Sequence, residues 1–404
     1  MADDGGRLHR PYRWAVLAAY TLAVGVTQML WLNFAPLLAL VQTRYGVSEL
    51  VASTLILVFP LLYVVFSIPS GVLIDRRGYR FTVGAGAVAT AAFSLLRIWD
   101  TSFWMIMAGQ LGIAVAQPFV VNGISKLVAD WFDEAQGAVA TGLGTMGMFL
   151  GMAIGMASTP ALVDAIGLRW TMVVFSAIAA GVAAAFVLFA RPNTPGPAPV
   201  AAGPATAGFG SLLRIRPLLI IFAIAFLGLG AFNGLTTWLE EILKPQGIDA
   251  ATAGLVGGVL IVGGIVGAVV IPLLSDRFRR RKPFLILCAL VAAACTGPLC
   301  IQGSVSEHMV VGAALGFFFM PAFALLLDMS AQLAGVERAG AATSLLMLFG
   351  NGGGAMVIVA VPLIKGGGTS YGPSVALLVC LLVVAVVLTA FVPETFSSKP
   401  APAK

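Results

Sequence analysis

Polar side chains are scarce in this chain, and those that interrupt its apolar stretches are the candidates for chemistry. One stretch carries Thr27, Gln28 and Trp31 on one helical face, with Asn33 beside them. Another carries Gln110 and Gln117, seven residues apart, then Lys126 and Asp130. A third carries Asn233, Thr236, Thr237 and Glu240, whose i, i+3, i+4, i+7 spacing draws one stripe along a helix. Further on stand Phe317, Phe318 and Phe319 with a lone Asp328, and then Asn351 in Gly350-Asn351-Gly352-Gly353-Gly354. Polar groups inside a membrane are costly and mark a solute pathway. An amide in such a place also serves as a bond between helices. Glu240 and Glu241 fall near the end of their stretch, where a solvated position is the plain expectation. Lys126 and Asp328 each stand about one turn from the end of theirs and are candidates for a charge pair that closes an inner gate.

Nothing points to covalent or metal chemistry. There are two histidines, His9 and His308, and no set of Ser, His and Asp, metal-ligand cluster or phosphate loop. The four cysteines, Cys288, Cys295, Cys300 and Cys380, lie in or beside apolar stretches and include no CxxC pair. No enzyme activity, metal or cofactor is expected.

The elements that must position these residues follow from composition. Of 404 residues, 59% are hydrophobic and only 10% are Asp, Glu, Lys or Arg. A water-soluble chain could not hide that much apolar side chain, which excludes a soluble enzyme, a nucleic-acid binder and a disordered protein. The net charge of +6 orients a membrane protein rather than binding nucleic acid. Twelve segments are long and apolar enough to span a bilayer, at about 14–40, 49–74, 82–99, 102–130, 136–162, 169–190, 216–243, 250–274, 283–302, 308–332, 339–364 and 371–392. The fold class is therefore an all-α membrane protein with twelve transmembrane helices. Seventeen Lys and Arg fall in loops on one side against five, Arg97 among them, on the other, which puts both termini in the cytoplasm.

The stretch 191–208 holds five prolines and cannot be a regular helix. It divides the chain into a bundle at 1–190, a cytoplasmic linker at 191–215 and a bundle at 216–404. The two bundles echo each other. Gly46-Val47-Ser48 precedes a span ending at Asp75-Arg76, and Gly247-Ile248-Asp249 precedes one ending at Asp276-Arg277, 201 residues later at both ends. Glu134-Ala135-Gln136-Gly137 matches Glu337-Arg338-Ala339-Gly340. Ser48 and Asp249 are both good helix N-caps. Two pseudo-symmetric six-helix bundles are the plan of a transporter that works by alternating access.

Gly71-Val72-Leu73-Ile74-Asp75-Arg76-Arg77-Gly78-Tyr79-Arg80 resembles the loop motif of the major facilitator superfamily, with Tyr79 where the pattern has a basic residue. Gly71 is expected at a close helix contact and Gly78 in a tight turn. A degenerate second copy runs from Pro272 through Asp276 and Arg277, with Arg279 in place of the turn glycine. The resemblance implies a conformational role for Gly71, Asp75, Arg76, Gly78, Arg80, Asp276 and Arg277. It also implies that spans one, four, seven and ten line a cavity. Gly142, Gly144, Gly147, Gly151 and Gly155 in span five read as close helix packing. Span five lacks the Gly-Pro pair of the superfamily's proton antiporters, and span one has no acidic residue.

More narrowly, the chain resembles the feline leukaemia virus subgroup C receptor family, whose members include choline and ethanolamine transporters once described as haem exporters. The strings that carry this are Gln28-Met29-Leu30-Trp31-Leu32-Asn33-Phe34, Tyr45-Gly46-Val47, Gly109-Gln110, Ala116-Gln117-Pro118-Phe119, Ser125-Lys126, Trp131-Phe132 and Gly230-Ala231-Phe232. The resemblance implies that Trp31 is a cation–π tryptophan and that Gln117 and Asn351 are substrate amides. Gln28 stands beside them, and Asn233, next to Phe232, aligns with the family's tyrosine. Asp328 matches an acidic position. The substrate so implied is a small polar, cationic organic molecule, carried by a monomer in the lipid bilayer, with a proton or other ion as a potential coupling partner. The alternatives are an organic-anion carrier with Lys126 as contact, and a proton-coupled drug or metabolite exporter with Asp328 as proton carrier.

Overall fold

The computed structural model describes residues 12–132, 134–190, 209–301, 303–335, 339–365 and 370–395. Among the described residues every regular element is a helix. The chain divides into two compact units, 1–202 and 203–404. The part of the linker at 191–208, and the repeat string at Glu337-Arg338, lie outside the described residues.

In the first unit α1 (Tyr12–Leu32) is followed by a 3-10 turn (Ala35–Leu37) and α2 (Leu38–Tyr45). Together they form the first span, expected as one helix. Pro36 sits just inside the turn that separates them and supplies no N–H to continue α1. Next comes α3 (Glu49–Leu96), in which Gly78 at φ 76° and ψ 165° breaks the helix into spans two and three. Span four is α4 (Phe103–Val121) and α5 (Ile124–Trp131), parted at Asn122-Gly123, again where one helix was expected. Finally α6 (Glu134–Phe189) is broken at Gly167, at φ 79° and ψ 163°, into spans five and six. Both breaks use a backbone region that is essentially reserved for glycine and costs an L side chain about 1–3 kcal/mol.

The second unit holds a short α7 (Phe209–Leu212) and then the spans α8 (Arg216–Leu243), α9 (Ala250–Phe278), α10 (Lys282–Cys300), α11 (Val305–Ala334), α12 (Ala339–Lys365) and α13 (Gly372–Thr389). Eleven stretches of the described residues are long and apolar enough to cross a membrane. One of these, Ala140–Phe189, has 50 residues and is broken at Gly167, so it supplies two of the twelve spans.

The units share a packing plan. In the first, α1 lies along α6 and α3 along α4; in the second, α8 lies along α12 and α9 along α11. Glycines let the backbones touch. A Cβ on Gly151 would come 1.9 Å from Gly25 O, and one on Gly353 would come 2.0 Å from Phe226 O. Such contacts replace the hydrophobic drive that lipid cannot supply. Ser48 accepts the Val51 N–H at 3.3 Å and Asp249 that of Thr252 at 2.9 Å, so both expected caps form.

Candidate functional site

Trp31 is the last aromatic residue of α1 and is 8% exposed. Its indole N–H donates to Ile56 O at 3.1 Å, and its ring stacks on Phe59 with centroids 5.9 Å apart. Both partners belong to span two, so the ring plane is held from two directions. Gln28, one turn earlier on α1, is buried, and its Oε1 has no hydrogen-bond partner. Gln117 of α4 is buried too, with Nε2 unpartnered. Both amide atoms of Asn33 are in the same condition. Buried polar atoms without partners are rare enough to mark a place where a ligand or water completes the bonding.

Gln110, seven residues before Gln117, is engaged otherwise. It donates to Leu55 O at 3.0 Å and accepts from Arg97 Nη1 at 3.0 Å. Arg97 corrects the loop assignment: it is 0% exposed. Its Nη1 also donates to Leu30 O at 3.3 Å, Nη2 reaches Met172 Sδ at 3.0 Å, and the guanidinium lies 5.2 Å from the Phe34 ring centroid. The carbonyl of Leu30 lies in the last turn of α1, where a cation is favoured. An arginine at the end of an apolar run carries no signal of this kind. Asn122 at the break in span four is a second polar centre the sequence reading missed. It accepts from Tyr63 Oη at 2.6 Å and donates to Ser70 Oγ at 2.7 Å.

In the second unit Phe232 of α8 stacks on Phe319 of α11, with centroids 5.1 Å apart and planes 14° from parallel. Asn233 turns toward α12: a Cβ on Gly354 would stand 2.2 Å from its Nδ2. Asn351, one turn earlier on α12, donates to Met347 O at 2.9 Å within its own helix. Phe232, Asn233 and the α12 glycine run are thus brought together. Glu240 and Glu241 are 5% and 7% exposed, so the solvated position expected for them does not hold.

The two gate candidates are each engaged inside their own unit. Lys126 bonds Asp130 at 3.1 Å. Asp328 pairs with Arg281 and accepts from Gln332 Nε2 at 3.2 Å. Arg281 also reaches Asp276 at 3.6 Å, so it links the loop copy to α11. Arg281 stands 201 residues after Arg80, a correspondence that the repeat offset already carried.

In the first loop Gly78 makes the expected turn, while Arg76 and Arg80 are exposed. The side chain of Asp75 lies outside the described residues. Gly71 departs from expectation: a Cβ there meets nothing within 4 Å, so it sits at no close helix contact. In the second copy Asp276 and Arg277 are exposed, and Arg279 itself takes the left-handed turn at φ 51°. Among the described residues no cluster of His, Cys, Asp and Glu could hold a metal ion.

A helical membrane protein of two related six-span halves, with buried polar side chains inside its spans, belongs to the class of multi-pass solute transporters. The chain is a member of the Major Facilitator Superfamily, whose family model matches residues 20–358. It is 28% identical to solute carrier family 49 member A3 of Danio rerio, over 84% of this chain and 75% of that protein. It is 25% identical to the choline/ethanolamine transporter flvcr2a of the same fish, over 84% of this chain and 77% of that one. A crystal structure of a bacterial homologue of the human lysosomal transporter Spinster, inward-facing and unoccupied, superposes with a TM-score of 0.72 at 16% identity, over 95% of this chain and 96% of that one. This last likeness concerns the fold. The relatedness to choline/ethanolamine transporters supports placing the chain near the feline leukaemia virus subgroup C receptor branch.

Proposed function

We propose that this transporter moves a small polar, cationic organic solute of the choline or ethanolamine kind by alternating access. The observation that carries the reading is the first unit's combination of a clamped tryptophan with unpartnered amides. The face of Trp31 attracts a cation by about 0.5–2 kcal/mol. Gln28 Oε1 and Gln117 Nε2 are buried atoms that a hydroxyl could satisfy. Within the second unit, the family resemblance assigns Phe232, Asn233 and Asn351 to substrate binding. The relatives named as choline/ethanolamine transporters support the substrate class. The anion and proton-carrier alternatives are less well served, because Lys126 is bonded to Asp130 and Asp328 to Arg281. The asymmetry of loop charge favours both termini in the cytoplasm.

A thermal-shift screen of the detergent-purified protein against choline, ethanolamine, other amines, organic acids and haem tests the substrate class. A ligand that binds the folded state raises its melting temperature. A shift with choline-like amines that disappears in Trp31→Ala is expected. A shift with carboxylates alone, or none with any amine, overturns the reading.

A further inference from the structure

Pro60 lies inside α3 and has no amide hydrogen, so the carbonyl four residues earlier, Ile56 O, loses its helical donor. That is the carbonyl to which Trp31 donates its indole N–H. The neighbouring Leu55 O takes the Gln110 amide, which Arg97 holds from behind. The second unit repeats the arrangement with different helices. Pro362 lies inside α12, and the carbonyl four residues earlier, Ile358 O, accepts from the Trp238 indole at 3.0 Å. Carbonyls freed by a membrane proline must find a donor nearby. Here the donor is a tryptophan on the first span of each half.

We propose that Pro60 and Trp31 form a positioning lock, in which the proline frees Ile56 O so that the indole N–H can fix the plane of the Trp31 ring. Pro362 and Trp238 form its counterpart. The lock has a consequence for specificity, which rests on the reading of Trp31 as the cation-binding ring. With its only N–H committed to the backbone, Trp31 offers a ligand its face and no donor. It therefore favours a methylated ammonium over a group that needs a hydrogen bond from the ring. Pro60 becomes a positioning residue for that selection.

A stability cycle tests the lock without any substrate. Trp31→Phe keeps an aromatic face but strands Ile56 O, and a lower melting temperature is expected. Pro60→Ala returns an amide hydrogen to Ile56 O. In that background Trp31→Phe is expected to lower the melting temperature by less than half as much. Equal losses in both backgrounds overturn the lock. If Trp31→Phe alone does not fold, the double variant is expected to fold; a double variant that also fails overturns the lock. The same cycle with Trp238→Phe and Pro362→Ala is expected to show the same rescue, and additive losses there overturn the counterpart. Uptake of choline separates the lock from the substrate. Pro60→Ala alone, whose Trp31 is chemically intact, is expected to raise KM for choline at least threefold with the maximal rate unchanged; an unchanged KM overturns the positioning role. Rescue in the stability cycle together with no choline uptake by any form, wild type included, leaves the lock standing and removes choline as the substrate.

Discussion

The two halves share a plan of helix pairs but stabilise it with different chemistry. The first half buries a guanidinium: Arg97 ties Leu30 O, Gln110 and Met172 together in a place 0% exposed. The residue 201 positions later is Pro298 in α10, so the second half has no such centre there. Its arginine of consequence, Arg281, sits at the end of the membrane-spanning region and joins Asp276 to Asp328. The turns differ in the same way. Gly78 occupies positive φ in the first half and Arg279 in the second. The repeat thus preserves helix pairing and a positive φ at the turn, but not the turn itself: ψ is 165° at Gly78 and 42° at Arg279. This is how a duplicated unit can keep one fold and divide its tasks.

The largest expected effect breaks the comparison at its centre. Arg97→Ala leaves Gln110 Oε1 and Leu30 O buried without donors, and is expected to cost about 3 kcal/mol. Denaturation of the purified protein checks this, and a loss below about 1 kcal/mol would mean that water replaces the guanidinium. A smaller effect, opposite in sign between halves, is expected at the turns. Gly78→Ala should destabilise by about 2 kcal/mol, because its φ and ψ are essentially open to glycine alone, while Arg279→Gly should stabilise by up to about 1 kcal/mol, because Arg279 already bears the strain of the left-handed region. Melting curves of the two variants measured together decide it.

An effect comparable to that at Arg279 concerns the caps. Ser48→Ala and Asp249→Ala should each cost about 1 kcal/mol near neutral pH. The Thr252 side chain and backbone N–H hold the Asp249 carboxyl below the usual carboxylate range. A depressed value means that this contribution is present above about pH 4 and is lost as pH falls through the lowered value. The penalty of Asp249→Ala should therefore shrink in acid, while that of Ser48→Ala stays constant.

Much of this architecture was legible in the residues. Twelve apolar runs, the close contacts of Gly144, Gly147, Gly151 and Gly155 in span five and the repeated loop string with Gly78 correspond to what is observed; Gly142, expected to pack in the same way, has nothing within 4 Å of where its Cβ would be. The candidate site was legible in part. Trp31, Gln28 and Gln117 stood out because polar groups inside apolar runs need a reason. Arg97 was missed because a terminal arginine usually reaches water, and only packing reveals that Gly109 leaves room for it: a Cβ on Gly109 would come 2.6 Å from Arg97 Cγ. The breaks in spans one and four were missed because the helical pattern resumes beyond them, although Asn122-Gly123 is itself a turn signal for the second. Pro36 was a signal for the first. The Trp31 bond was hidden for another reason: its acceptor is a carbonyl, which every residue has. Only Pro60, four positions on, distinguishes Ile56 from its neighbours.

The glycine contacts bear on how each half can move. Where the backbone of α6 touches that of α1 at Gly151 and Gly25, there is no layer of side chains to act as a bearing. Sliding one helix past the other would drive peptide planes into each other, so the pair must swing as a stiff lever. The same holds for α8 and α12 at Phe226 and Gly353. Flexing is then left to joints that lack such contacts, such as Gly71, whose surroundings are open.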